Sequence, residues 1–138
     1  MIEGGCYCGR VRYASEAAPF HETVCHCSDC RRIAGASAVA WFSVPADRFS
    51  FTAEKPVQFR SSARVVRSFC GTCGTPLTYQ RDDLATEIDV TIASLDDADA
   101  VPPKDHTHTR HKLQWDAICD GLPAFPEGRT SAEKDDGV

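Results

Sequence analysis

Along the middle of this chain, apolar and polar positions alternate in short runs that suit strands better than helices. The clearest is Ile88-Asp89-Val90-Thr91-Ile92, apolar on one face and polar on the other. Residues 39–44 form a second run that stops at Pro45. Runs 49–52, 57–60, 65–69 and 77–80 are likewise rich in β-branched and aromatic residues, and Pro, Gly, Ser and Asp separate them. A short helix is expected over residues 31–35, with Ser28 able to cap its start and Gly35 a plausible stop. The predicted class is mainly β: antiparallel sheets with one or two short helices. No repeat period appears. A single domain is expected over residues 1–126, followed by a polar, core-less segment, 127–138, expected to be mobile.

The chain has 138 residues, 42% of them hydrophobic and 25% charged, which suits one ordinary core. No apolar run approaches the ~18–20 residues of a membrane span. The start Met-Ile-Glu-Gly-Gly-Cys has neither the basic nor the apolar part of a secretory signal, so a cytoplasmic location is expected. A net charge of −5 argues against a general nucleic-acid binder.

Eight cysteines change the picture. In a reducing compartment, clustered cysteines are metal ligands or catalytic thiols rather than disulfides. Here they fall as Cys6-x-Cys8, Cys25-x-Cys27-x-x-Cys30, Cys70-x-x-Cys73 and a lone Cys119. Structural zinc takes four thiolates, commonly from two short pairs far apart in sequence. Cys70 and Cys73, with Gly71 and Gly74 to allow a tight knuckle, are the strongest metal pair, and a redox role is weaker because no βαβ pattern follows. Their expected partners are Cys6 and Cys8, directed to one side of a bent strand among Gly4, Gly5 and Gly9. The alternative for Cys6 and Cys8 is that they are small buried apolar residues.

Cys25, Cys27 and Cys30 supply three thiolates, the number that leaves a catalytic zinc one open position. Cys30 would lie in the first helical turn, where the dipole and Arg31 and Arg32 favour a thiolate. Two other readings stay open: a second structural site with His26 as fourth ligand, and a metal-free thiol cluster. His106, His108 and His111 read as a solvated, partly strand-like surface loop, with substrate contact the minor reading. Cys119 reads as a buried apolar residue or a bystander, and Trp41 and Trp115 as core.

Four segments together resemble the glutathione-dependent formaldehyde-activating (GFA) family of zinc proteins. They are residues 5–13 (Gly-Cys-Tyr-Cys-Gly-Arg-Val-Arg-Tyr), 25–32 (Cys-His-Cys-Ser-Asp-Cys-Arg-Arg) with Gly35, 69–77 (Phe-Cys-Gly-Thr-Cys-Gly-Thr-Pro-Leu), and Trp115 with 120–127 (Asp-Gly-Leu-Pro-Ala-Phe-Pro-Glu). The resemblance implies a β-tent fold carrying two zinc ions, a structural one on Cys6, Cys8, Cys70 and Cys73 and a catalytic one on Cys25, Cys27 and Cys30. It implies a carbon–sulfur lyase that joins formaldehyde to the glutathione thiol as S-hydroxymethylglutathione. The expected partners are then a small thiol and an aldehyde, with no nucleic acid and no membrane. Arg31 and Arg32 are candidates to hold a glutathione carboxylate, or merely to offset thiolate charge. His26 is a candidate proton shuttle or a support for the ligands. The competing class is a non-catalytic zinc module, a glutathione carrier or an interaction domain.

Overall fold

The computed structural model describes residues 1–129. Its strands are β1 (Ile2–Gly5), β2 (Arg12–Ser15), β3 (Phe20–Cys25), β4 (Val39–Pro45), β5 (Phe49–Phe51), β6 (Val57–Ser62), β7 (Val65–Phe69), β8 (Pro76–Arg81), β9 (Glu87–Thr91) and β10 (Asp105–Thr107). One α-helix among the described residues, α1 (Ser28–Ala34), joins β3 to β4. The strands form a three-stranded sheet, β1-β2-β5, and a seven-stranded sheet, β10-β3-β4-β9-β8-β7-β6. The molecule is mainly β, as its patterning predicts.

One edge departs from the antiparallel expectation: β10 pairs parallel to β3. The chain leaves β9 through short 3-10 turns and re-enters beside β3 from the same end. β1, β2, β3 and β10 escaped the sequence reading. β1 contains two glycines, and β2 and β10 are too short for a period of two to emerge.

β4 lies mid-sheet and is buried on both faces. Phe42 and Val44, opposite Val90 and Ile88, enter a core that gathers Val11 and Tyr13 from around the small sheet together with Leu77 and Leu95. Trp41 and Ser43 face the other way, opposite Thr91 and Asp89. The Tyr13 hydroxyl is 2.6 Å from Ser94 Oγ, and any Cβ at Gly4 would collide with the Tyr13 ring and the Ser94 carbonyl. That close approach is what the glycine permits.

Residues 123–127 run along β10 and the turn that follows it. The Phe125 amide donates to the His106 carbonyl at 2.8 Å, and the His108 amide to the Glu127 carbonyl at 2.9 Å. Arg129 Nε donates to the carboxylate of buried Asp105 at 2.6 Å. Of the segment expected to be mobile, residues 130–138 lie outside the described residues, and the described beginning is tied down by these bonds. No helix among the described residues is long and apolar enough to cross a membrane.

Candidate metal centres

The first centre is built by two turns. After Cys6 the chain turns back, the Gly9 amide donating to the Cys6 carbonyl at 3.1 Å and the Val11 amide to Cys6 Sγ at 3.3 Å. After Cys70 the Gly74 amide donates to the Cys70 carbonyl at 2.8 Å, and the amides of Thr72 and Cys73 both reach Cys70 Sγ at 3.4 Å. Gly9 and Gly74 sit at φ 81° and 85°, the left-handed region glycine enters cheaply. Cys6 and Cys8 thus meet their partners through a turn, not through the bent strand expected from sequence.

The sulfurs of Cys6, Cys8, Cys70 and Cys73 all lie within 4.8 Å of one another. Cys6 to Cys8 is 3.5 Å and Cys8 to Cys70 is 3.7 Å. Four thiolates at ~2.3 Å from a tetrahedral ion stand ~3.8 Å apart, so this set could hold a metal and is consistent with zinc. Backbone N–H groups aimed at the sulfurs stabilise their thiolate charge, as a ligand cage requires. No cysteine among the described residues is in a disulfide.

The second centre is local. Cys25 ends β3, Cys27 precedes α1 and Cys30 lies in its first turn; all three are buried and within 4.8 Å of one another. Cys27, not Ser28, caps the helix: its Sγ accepts from the Cys30 amide at 3.2 Å. Gly35 ends the helix at φ 63°, as its sequence position predicts. Trp41, Val39 and Tyr79 pack in one apolar cluster with the three cysteines.

Charge in this centre is unevenly shared. Hydrogen bonds from Cys25 and Cys27, with help from Arg67, hold the Cys30 thiol far below its usual range. The same bonds push Cys25 well up, and burial adds to it. Three ionised sulfurs this close repel one another and would need a cation among them. The three buried, convergent sulfurs are what make it a candidate metal site.

Sequence reasoning missed Arg67. It is 2% exposed, its Nη1 stands 4.0 Å from Cys30 Sγ, and its guanidinium lies 4.9 Å over the Tyr79 ring. Nε donates to Ser61 Oγ at 3.2 Å, while Nη2 has no partner among the described residues. Its place in β7 reads as an ordinary polar strand position, and only the pairing Arg67–Tyr79–Asp89–Ser43 across four strands reveals that this face is the covered one. Asp89 in that row accepts from Ser43 Oγ at 2.6 Å, and desolvation outweighs that bond to push its carboxyl up to about 7. Of the expected anion holders, Arg31 is half-buried and Arg32 exposed; the guanidinium set against Cys30 is that of Arg67.

The histidine segment also differs from expectation. His106 is buried in β10, His108 is half-buried and His111 is exposed. His106 Nε2 lies 2.7 Å from Asp120 Oδ2, and His106 Nδ1 lies 2.9 Å from Nε2 of His26, which is also buried. The His106 bond and the Leu122 amide hold Asp120 below the usual carboxylate range; burial and His106 lower His26, with Asp116 opposing. His26 points away from its two cysteine neighbours and is no fourth ligand, because successive side chains on an extended segment diverge. Trp41 is buried as expected, but Trp115 is 75% exposed and Cys119 is exposed, so neither belongs to the core.

A small, mainly β protein with two convergent cysteine clusters able to hold metal is the class that fold and site define. The model of the family described as glutathione-dependent formaldehyde-activating enzyme matches residues 1–111, and the chain belongs to that family. Among solved structures it is similar to the crystal structure of a Rhodobacter sphaeroides protein, a structural-genomics target, with a TM-score of 0.58. The two are 21% identical over 89% of this chain and 98% of the other, a likeness of fold.

Proposed function

We propose that the chain is a zinc-dependent carbon–sulfur lyase that makes or breaks the bond between a small thiol and an aldehyde, with glutathione and formaldehyde as the pair the family name supplies. Cys25, Cys27 and Cys30 are its catalytic ligands, and Cys6, Cys8, Cys70 and Cys73 its structural ones. The observation that carries this reading is the three-sulfur cluster, buried and one ligand short of a closed tetrahedral set. Zinc bound there would favour the thiolate form of a thiol near neutral pH and polarise a carbonyl.

In the synthetic direction the thiol sulfur bonds to the aldehyde carbon, the C=O π pair goes to oxygen, and the thiol proton ends there, giving a hydroxymethyl thioether. The chain's own contribution is to arrange and shield. Trp41 and Tyr79 keep bulk water off the sulfurs, and Arg67 offsets part of their negative charge. Arg31 and Arg32, on α1 directly after Cys30, are placed in sequence to hold a carboxylate of the thiol substrate. A cytoplasmic location, where glutathione is abundant and thiols stay reduced, completes the reading.

The test is thiol-dependent consumption of formaldehyde by purified protein, with and without added zinc, comparing glutathione with other small thiols. Metal analysis should find two zinc ions per chain. One zinc and no turnover would favour the non-catalytic module instead.

A further inference from the structure

Past Cys25 the chain leaves β3, and residues 26 and 27 belong to no strand or helix before α1 begins at Ser28. Cys25 still pairs with Val39 of β4, and Cys27, in extended backbone, caps α1. The link at residue 26 therefore sets how the two flanking sulfurs stand to one another. Neighbouring side chains on an extended segment point apart, so whatever grips the His26 ring on one face turns both sulfurs to the other.

β10 grips His26 twice. The His26 amide donates to the Thr107 carbonyl at 3.0 Å, and its ring Nε2 lies 2.9 Å from Nδ1 of His106. Asp116 Oδ2, 3.9 Å from His26 Nδ1, is beyond hydrogen-bond reach. His106 is held in turn: its Nε2 lies 2.7 Å from Asp120 Oδ2. With Asp120 ionised, one hydrogen lies between the two rings whether they carry two ring hydrogens in all or three, so the run of contacts does not depend on that count. Asp120 is itself fixed, because its Oδ1 accepts from the Leu122 amide at 3.1 Å. The next residues then bond to the His106 backbone, Pro123 through its carbonyl at 2.9 Å and Phe125 through its amide at 2.8 Å.

We propose that Asp120 is a positioning residue for the three-cysteine cluster. By fixing the His106 ring it fixes His26, and through His26 the directions in which Cys25 and Cys27 present their sulfurs. The proposal rests on the reading of that cluster as a metal site, and it extends the site beyond residue 111, where the family match ends. The four-cysteine set, held by turn amides alone, serves as an internal reference. Removing the groups that orient metal ligands commonly weakens metal binding about 10–100-fold. The Asp120 side chain is 46% exposed, so its removal opens no hole in the core.

The experiment measures zinc affinity of the full chain at fixed pH, by competition with a chromophoric chelator, for the parent and for Asp120→Ala. The dissociation constant of the zinc on Cys25, Cys27 and Cys30 should rise about tenfold or more, with the other zinc and the circular dichroism unchanged. In a His106→Phe background Asp120→Ala should cost nothing further, whereas a role confined to the Leu122 turn would cost as much there as in the parent. Nitrogen NMR of the rings gives a readout that needs no second variant: Asp120→Ala should move the signals of both His106 and His26. Unchanged affinity in Asp120→Ala overturns the proposal, as do equal losses at the two zinc sites, equal losses in the two backgrounds, or a shift confined to His106. A parent chain that binds one zinc only overturns the metal reading itself, an outcome visible before any variant is made.

Discussion

The two cysteine clusters solve opposite problems. Cys6, Cys8, Cys70 and Cys73 come from two turns far apart in sequence, and Cys8 is open to solvent. Cys25, Cys27 and Cys30 sit within one strand end and one helical turn, all buried. A four-sulfur set satisfies its ion unaided, so it tolerates solvent and needs only glycine turns and backbone amides around it. A three-sulfur set leaves charge and an open side, and the protein surrounds it with an arginine, two aromatic rings and a helix. What lies beside a cluster is thus as informative as its ligands.

The largest way to break the contrast is Cys70→Ser. Structural zinc contributes about 10–16 kcal/mol of apparent folding free energy, as much as a whole domain's net stability, so this variant should be unfolded by circular dichroism even with zinc present. Cys27→Ser should instead remove one of two zinc ions and lower aldehyde turnover by about 100-fold or more. A serine hydroxyl can still cap α1, so its thermal melt should stay close to that of the parent chain. If Cys27→Ser unfolds the chain and Cys70→Ser does not, the assigned roles are reversed.

Arg67→Ala sharpens the comparison from the protein side. It removes a buried guanidinium stacked on Tyr79 and should cost about 2 kcal/mol in a urea melt while leaving zinc at the four-cysteine set. Arg67→Lys should not fully restore it, because the stack needs the planar group.

Asp89→Asn gives the smallest effect at neutral pH, where most of its contribution is already lost. The folded carboxyl holds its proton up to about 7, against an ordinary carboxylate value of 3.8, so the native state binds more protons across that window. Its stabilising contribution is complete below the unfolded value and is lost as pH rises through about 7. The variant should flatten that fall, seen as a smaller difference between melts at pH 5 and pH 8. An identical pH profile would show that Asp89 is ionised throughout.

Cysteine spacing made both clusters readable because ligand geometry is written locally, in turns of two and three residues. The helix stop at Gly35 was readable for the same reason. Arg67 was not, since its burial arises from neighbours on β8 and β9 rather than from its own strand. His106 looked solvated among Lys, Asp and Thr, yet three residues of parallel pairing with β3 bury it. Trp115 failed in the other direction: a large apolar residue in a loop without a packing partner stays in water.

The strip of chain that follows residue 120 along β10 has a further effect. An unpaired sheet margin invites strand-by-strand association with another molecule, and here the His106–Ala124 bridge and its neighbouring amides already occupy that margin. The opposite margin, β6, keeps Val57 and Phe59 in the open. Removing residues 121–138 should therefore turn a one-sided liability into a two-sided one, with chains able to stack at both ends of the larger sheet.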